Sequence, residues 1–367
     1  MNLSCPLLLH RLNLLCGEII MAAEQTAAPE APATAREWHL AARPEGWPVP
    51  TDFALVEAPV RTPGPGEILV RNTDLSVDPY MRGRMNDTKS YIPPFRIGAA
   101  MDGGAVGYVV ASEAEGFAPG DAVLHGLGWR EYATLPAKHA VKVPEIEGVP
   151  LSAYLGVLGM PGLTAYAGLL AVGALKEGDR VFVSGAAGAV GSIVGQIAKL
   201  KGASLVVGSA GSAEKVDRLT GEFGFDAAFN YKDGPVGEQL AKVAPEGIDL
   251  YFDNVGGEHL EAAINALGVH GRAVLCGAIA HYNDTTAAPG PRNLMQVIGK
   301  RLRLEGILVG DHDALRPQFV AEVGGWLQEG KLRSEETVVD GFENAAQAFL
   351  DMLRGANTGK MVVRLKD

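Results

Sequence analysis

The stretch VFVSGAAGAVGSIVGQIAKLKGA, residues 181–203, decides how the rest of the chain reads. It opens as an apolar, β-branched run, breaks into glycine and alanine, and resumes with apolar residues at helical spacing. Gly185, Gly188 and Gly191 form a GxxGxxG pattern at the break, with Ala186, Ala187 and Ala189 between them. Small side chains let a backbone approach a pyrophosphate. A helix that starts there turns its free N–H groups and positive dipole end toward the phosphates. Between a strand and a helix, within a strand–helix series, the pattern predicts a dinucleotide site.

That series is present on both sides. DRVFVSG, ASLVVGSAG, AAFNY, GIDLYFDNVG, GRAVLCGAI and RLEGILVGD read as strands. Between them GSIVGQIAKLKG, AEKVDRLTGEFG, PVGEQLAKVAP and GEHLEAAINALG read as helices. Strands alternating with helices predict an α/β domain with a doubly wound parallel sheet. Upstream the period differs: FALVEAP, GEILVRNTDLSV, GAVGYVVASE, DAVLHG and EYATLP are short strands divided by Pro and Gly, which suggests a small, partly open barrel. The run 151–175 is apolar and helical, with Pro161 where a helix would start. The closing segment reads strand, helix, strand, with a period matching the opening barrel. The expected division is therefore residues 37–152 completed by 331–367, with 153–330 as the dinucleotide domain.

Residues 1–36 are expected to be a disordered or over-read extension. The first twenty are apolar but too short to span a bilayer, and Met21 opens an Ala- and Pro-rich segment that reads as the natural start. The 367-residue chain carries a net charge of -11 with 20% charged residues, which argues against a nucleic-acid or anionic-membrane partner. Its three cysteines, Cys5, Cys16 and Cys276, form no CxxC pair, and the expected setting is a reducing cytoplasm. Cys276 reads as a small apolar strand residue.

The second strand of the series chooses the cofactor. A free ribose 2′-hydroxyl is usually met by Asp or Glu at its end. Here it ends in Gly208, Ser209, Ala210 and Gly211, followed by Lys215, and Tyr231 ends the next strand. A missing acid together with a present base predicts NADP(H), because a carboxylate would repel a 2′-phosphate.

Several longer motifs then carry a resemblance. MPGLTAY, GAAGAVGSIVGQIAK, GSAGSAEKV, FNYK, YFDNVGGEHL, CGAIAHYN and LSVDPYMRGRM resemble the zinc-independent medium-chain dehydrogenase/reductases. The likeness is to the branch of prostaglandin, leukotriene and 2-alkenal (curcumin-type) reductases, over roughly residues 38–365. It implies a GroES-like barrel domain with an inserted Rossmann domain, a homodimer, and NADPH-dependent reduction of the carbon–carbon double bond of α,β-unsaturated ketones and aldehydes. It also implies contacts to the cofactor. Gly188, Ala189, Val190 and Gly191 would meet the pyrophosphate, and Lys215 and Tyr231 the 2′-phosphate region. Asn254 would reach the nicotinamide ribose. Cys276, Gly277, Ala278, Ile279 and Tyr282, with Ile307, Leu308 and Val309, would line the nicotinamide. Asn357 would reach in from the last segment. Where many members carry Ala, this chain has Gly185.

Enone reduction needs a hydride at the β-carbon and a donor for the negative charge that grows on the carbonyl oxygen. The Cys and His of a zinc site are missing; His125 and His139 lie in barrel strands without Cys partners, so no metal is expected. Tyr80 and Tyr282 are the candidate donors, since a phenol can hydrogen-bond a carbonyl and stack on a flat substrate. Arg82 and Arg84 read better as ion-pair partners. The Pro- and Gly-containing loop 86–104, with Tyr91, reads as a substrate wall. Two other readings stand beside this one: an NADPH:quinone reductase of the same superfamily, and a non-catalytic NADPH-binding protein.

Overall fold

The computed structural model describes residues 31–365. The Met1/Met21 question falls outside them. Strands β1 (Thr34–Leu40) and β2 (Phe53–Pro59) form an antiparallel hairpin. Next come β3 (Glu67–Ser76), the short helix α1 (Tyr80–Arg84), β4 (Ala105–Ser112), β5 (Ala122–His125), β6 (Tyr132–Pro136) and β7 (Ala140–Lys142). Helix α2 (Met160–Ala167) starts at the expected Pro161 and widens into one π turn, Gly168–Val172.

The strand–helix series follows: β8 (Arg180–Val183), α3 (Gly191–Leu200), β9 (Leu205–Ala210), α4 (Ala213–Gly221), β10 (Ala227–Asn230), α5 (Val236–Val243), β11 (Ile248–Asp253), α6 (Gly257–Ala266), β12 (Leu267–Leu275), α7 (Met295–Lys300) and β13 (Arg303–Gly306). The chain closes with α8 (Arg316–Gln328), β14 (Glu336–Asp340), α9 (Ala345–Leu353) and β15 (Lys360–Arg364).

Strands β8 to β13 make a six-stranded parallel sheet in the order β10-β9-β8-β11-β12-β13. That is the doubly wound order, with its reversal between β8 and β11. The turns leaving those two strands lie side by side: Ser184 N–H donates to Phe252 O at 3.1 Å, and Asn254 N–H to Ser184 Oγ at 3.0 Å. The other sheet has the order β14-β15-β3-β4-β5-β7, with β6 on β3. The order does not return on itself, so this GroES-like half is an open sheet rather than a closed barrel, with Ile68, Val70, Val109, Val123, Ala133 and Leu135 packed together from its strands. The last two strands join it as their period suggested, through β15 antiparallel to β3.

One element departs from expectation. Strand β1 begins at Thr34, inside the stretch read as extension. Residues 34–36 are held by pairing with β2 and by Arg36, whose guanidinium donates to Glu131 Oε1 at 2.6 and 3.0 Å. Both partners are distant in sequence, so composition could not reveal them.

Candidate functional site

The glycine-rich turn leaves β8 in a left-handed step. Gly185 has φ of +58°, a conformation that costs a side chain. Gly191 opens α3 so close to the turn that a Cβ there would lie 2.4 Å from Gly185 O. The start of α3 has no side-chain cap; Ser192 and Ile193 N–H donate to Gly188 O and Val190 O, while the N–H groups of Ala189, Val190 and Gly191 make no hydrogen bond among the described residues. Gly188 pairs with Gly359, and Gly359 N–H donates to Ala187 O at 2.8 Å; the segment holding Asn357 is thereby laid against the turn.

At the end of β9 no carboxylate appears. The buried Ser209 hydroxyl has no hydrogen-bond partner, and the Tyr231 ring packs over Gly211. Lys215 donates from Nζ to Gly355 O at 2.7 Å, and its pKa is lowered by burial and then by the charge of Lys232, with Glu214 opposing. Two cations, an unpartnered hydroxyl and a phenol beside an open helix start fit an NADP(H) phosphate end. The anion would answer the cationic excess and the free donors together. Gly188, Ala189, Val190 and Gly191 would hold the pyrophosphate; Lys215 and Tyr231 would hold the 2′-phosphate.

At the reversal of strand order the contacts are internal. The buried Asp253 accepts at Oδ1 from Tyr251 OH (2.7 Å), Ser184 Oγ (3.1 Å), Val255 N–H (2.9 Å) and Gly256 N–H (2.8 Å). The Asn254 amide donates to Ser184 O at 2.8 Å, which fixes its orientation. Most backbone donors of the expected nicotinamide wall are already used, those of Leu308 and Val309 excepted. Cys276 and Gly277 N–H donate to Asp253 O, Ile279 N–H to Asn254 O, Ala278 N–H to Tyr282 OH, and Ile307 N–H to Leu275 O. The segment 276–282 can therefore offer carbonyl oxygens and shape, while the N–H groups of Leu308 and Val309 make no hydrogen bond among the described residues. Leu308 is half exposed, and Asn357 donates its amide to Gly359 O. Ser184, Tyr251 and Asp253 were not singled out from the sequence. The one available signal was an acid ending the apolar run of β11.

Tyr80 and Tyr282 come together. Both line one cavity of about 230 Å³, with Gly83, Asn86, Tyr91 and Pro94. Burial raises the pKa of both phenols, so each stays protonated near neutral pH. Tyr282 OH accepts the Ala278 N–H at 3.4 Å, which leaves its own proton to donate; Tyr80 OH makes no hydrogen bond among the described residues. Burial, with Asp253 adding, pushes the Cys276 thiol up to about 12. Cys276 directly precedes Gly277, where a Cβ would lie 3.2 Å from the Tyr282 hydroxyl.

The arginines after Tyr80 are fasteners. Arg82 donates to Asn283 Oδ1 (2.9 Å), Asn86 Oδ1 (2.8 Å) and Gly46 O (2.7 Å). Arg84 pairs with Asp102, donates to Pro93 O at 2.9 Å and stacks over Phe95 at 4.0 Å, pinning both ends of the cavity loop. His125 is bound by Asn72 Oδ1 at 2.8 Å and lowered to about 4 by burial, a structural histidine. Among the described residues no three of His, Cys, Asp and Glu gather as metal ligands, and no helix is long and apolar enough to cross a membrane.

Known proteins agree with this geometry. A family model described as "N-terminal domain of oxidoreductase" matches residues 36–143, and one described as "Zinc-binding dehydrogenase" matches 189–323. The NADPH-dependent curcumin reductase of Escherichia coli is 45% identical over 335 residues, 90% of this chain and 96% of that protein. The NADP-dependent 2-alkenal reductase of Nicotiana tabacum is 43% identical over 324 residues, 87% of this chain and 94% of that protein. The crystal structure of CurA from Vibrio vulnificus in complex with NADPH superposes with a TM-score of 0.87 at 43% identity, covering 91% of this chain and 100% of that one. The chain belongs to the medium-chain dehydrogenase/reductase family, in the branch of NADP-dependent double-bond reductases.

Proposed function

We propose that this protein reduces the carbon–carbon double bond of α,β-unsaturated ketones and aldehydes, using NADPH. The observation that carries the reading is the meeting of two protonated tyrosines, one from each sheet region, in a single cavity of a chain similar over about nine tenths of its length to such reductases.

Bound NADPH supplies the hydride. The chain's own residues do the rest. The turn 185–191 and Lys215 hold the phosphates, and Asn254, fixed by Ser184, orients the sugar next to the reversal of the sheet. Tyr80 and Tyr282 aim O–H groups at the place where charge develops on the carbonyl oxygen, and a preorganised donor there lowers the barrier. Neither phenol needs to lose its proton, which agrees with the raised pKa of both; the hydride goes to the β-carbon and solvent supplies the proton taken up at the α-carbon. Tyr91 and the loop after α1 cover the substrate and limit water.

The reading includes a homodimer. Its support is the edge strand β13, which pairs only with β12 among the described residues, next to exposed Leu294, Met295 and Ile298 at α7. The proposed setting is the cytosol, supported by the free Cys276 thiol. Light scattering tests the first; a monomer at micromolar concentration rejects it.

The activity is tested by following NADPH absorbance with a panel of 2-alkenals, enones and quinones. Turnover of enones is expected. Tight NADPH binding without turnover of any enone overturns the reading, and turnover of quinones alone replaces it with quinone reduction.

A further inference from the structure

Strand β15 begins at a crossing point. Gly359, the residue before it, touches the glycine-rich turn through Ala187 O and Gly188. The next residue, Lys360, is 3% exposed and turns the opposite way. Its Nζ donates to Val77 O and Met361 O, both at 2.8 Å, and ion-pairs with Asp78 Oδ1 at 3.2 Å. Asp78 is also buried, and its other oxygen accepts the Ser76 hydroxyl. The Asp78 carbonyl accepts Met81 N–H in the first turn of α1, and Tyr80 follows two residues on. One peptide link therefore separates a contact to the dinucleotide turn from a contact to the base of the tyrosine helix.

Stability does not explain this pair. Apolar residues of similar volume often serve a core as well as a buried ion pair, because desolvation offsets the attraction. What the pair adds is direction. A charge at the end of a stretched lysine fixes Asp78, and with it the start of a helix only five residues long, too short to hold its place alone.

We infer that Lys360 is a positioning residue that sets the distance between the glycine-rich turn and Tyr80, so that filling the dinucleotide site also stiffens the tyrosine helix. The inference rests on the proposed NADPH-dependent function. Small displacements of a donor from its reacting partner cost large factors in rate. A side chain that fixes this spacing therefore governs turnover without touching substrate or cofactor.

The test is hydrogen exchange followed by mass spectrometry on the full chain, with and without saturating NADPH. In the wild type, NADPH is expected to slow exchange in peptides covering 184–193 and 78–85. Lys360→Met keeps an unbranched side chain, one atom shorter, and removes its charge. In it the slowing at 184–193 is expected to persist and that at 78–85 to vanish. The NADPH Kd should stay within about threefold, while kcat for an enone falls by about tenfold or more. Asp78→Asn, which keeps the shape of the turn, should give the same split and serves if Lys360→Met does not fold. Slowing at 78–85 that survives in either folded variant overturns the inference, as does its absence from the wild type. A wild type with no slowing at 184–193 overturns instead the NADPH reading beneath it, and the inference with it.

Discussion

At the end of β8 the binding surface is backbone: a left-handed Gly185, a helix start pressed onto it at Gly191, and N–H groups left over. At the cavity the surface is side chains: Tyr80 on a five-residue helix, Tyr91 on a loop, and Tyr282 after a short turn, with Arg82 of the helix bound to Asn283, 201 residues away. The first surface is dictated by steric exclusion among neighbours. The second is assembled by long-range contacts. A backbone site tolerates almost no change at a few positions, whereas a side-chain site tolerates many changes and is tuned by all of them.

Substitution can break that contrast. The largest effect is expected from Gly191→Val, whose Cβ would be forced within 2.4 Å of Gly185 O. NADPH affinity measured by fluorescence titration should fall by about 100-fold or more, which corresponds to about 2.7 kcal/mol. A change under about tenfold would show that the turn is softer than a backbone site should be. Lys215→Ala should weaken NADPH by about 1.5–3 kcal/mol, the worth of a charge-assisted hydrogen bond, and leave NADH nearly unchanged. Equal losses with both cofactors would reduce Lys215 to the contact it makes with Gly355 O.

On the cavity side, Tyr80→Phe or Tyr282→Phe should lower kcat by about tenfold, with smaller change in KM, since each removes a donor used in the transition state. If neither slows turnover, the carbonyl is met by another donor and the cavity is shape alone. The smallest effect should come from Gly185→Ala. A Cβ there meets Asn254 Cβ at 3.4 Å, an ordinary contact, so the cost is the left-handed φ, about 1 kcal/mol of stability by denaturant unfolding. Cofactor affinity should not move. Read together, Gly191 and Gly185 separate the crowded glycine from the merely strained one.

The same contrast explains what the sequence revealed. The turn, the helix after it and the order of alternating strands were legible because glycine spacing and hydrophobic period are local signals. The absence of an acid after Val207, with Lys215 beyond it, was likewise readable from a few adjacent residues. Strand β1 was not, because Thr34 and Ala35 gain their structure from β2 and through Arg36 and Glu131. The role of Arg84 as a loop fastener needed Asp102 and Pro93, neither inferable as its partner from spacing. Tyr80 and Tyr282 entered through resemblance; their arrival at one cavity is a property of the folded chain. Lys360 gave no signal at all, since a lysine in an apolar strand reads as an edge charge until its burial is seen.

The thiol of Cys276 has a consequence of its own. With its pKa pushed up to about 12 by burial and by the charge of Asp253, it is almost wholly protonated at pH 7. An exposed cysteine near its ordinary pKa is ionised at a level of a few per cent. The thiolate, not the thiol, attacks activated double bonds. A protein that handles electrophiles thus keeps this sulfur in a form they do not alkylate, through burial and the neighbouring Asp253 charge.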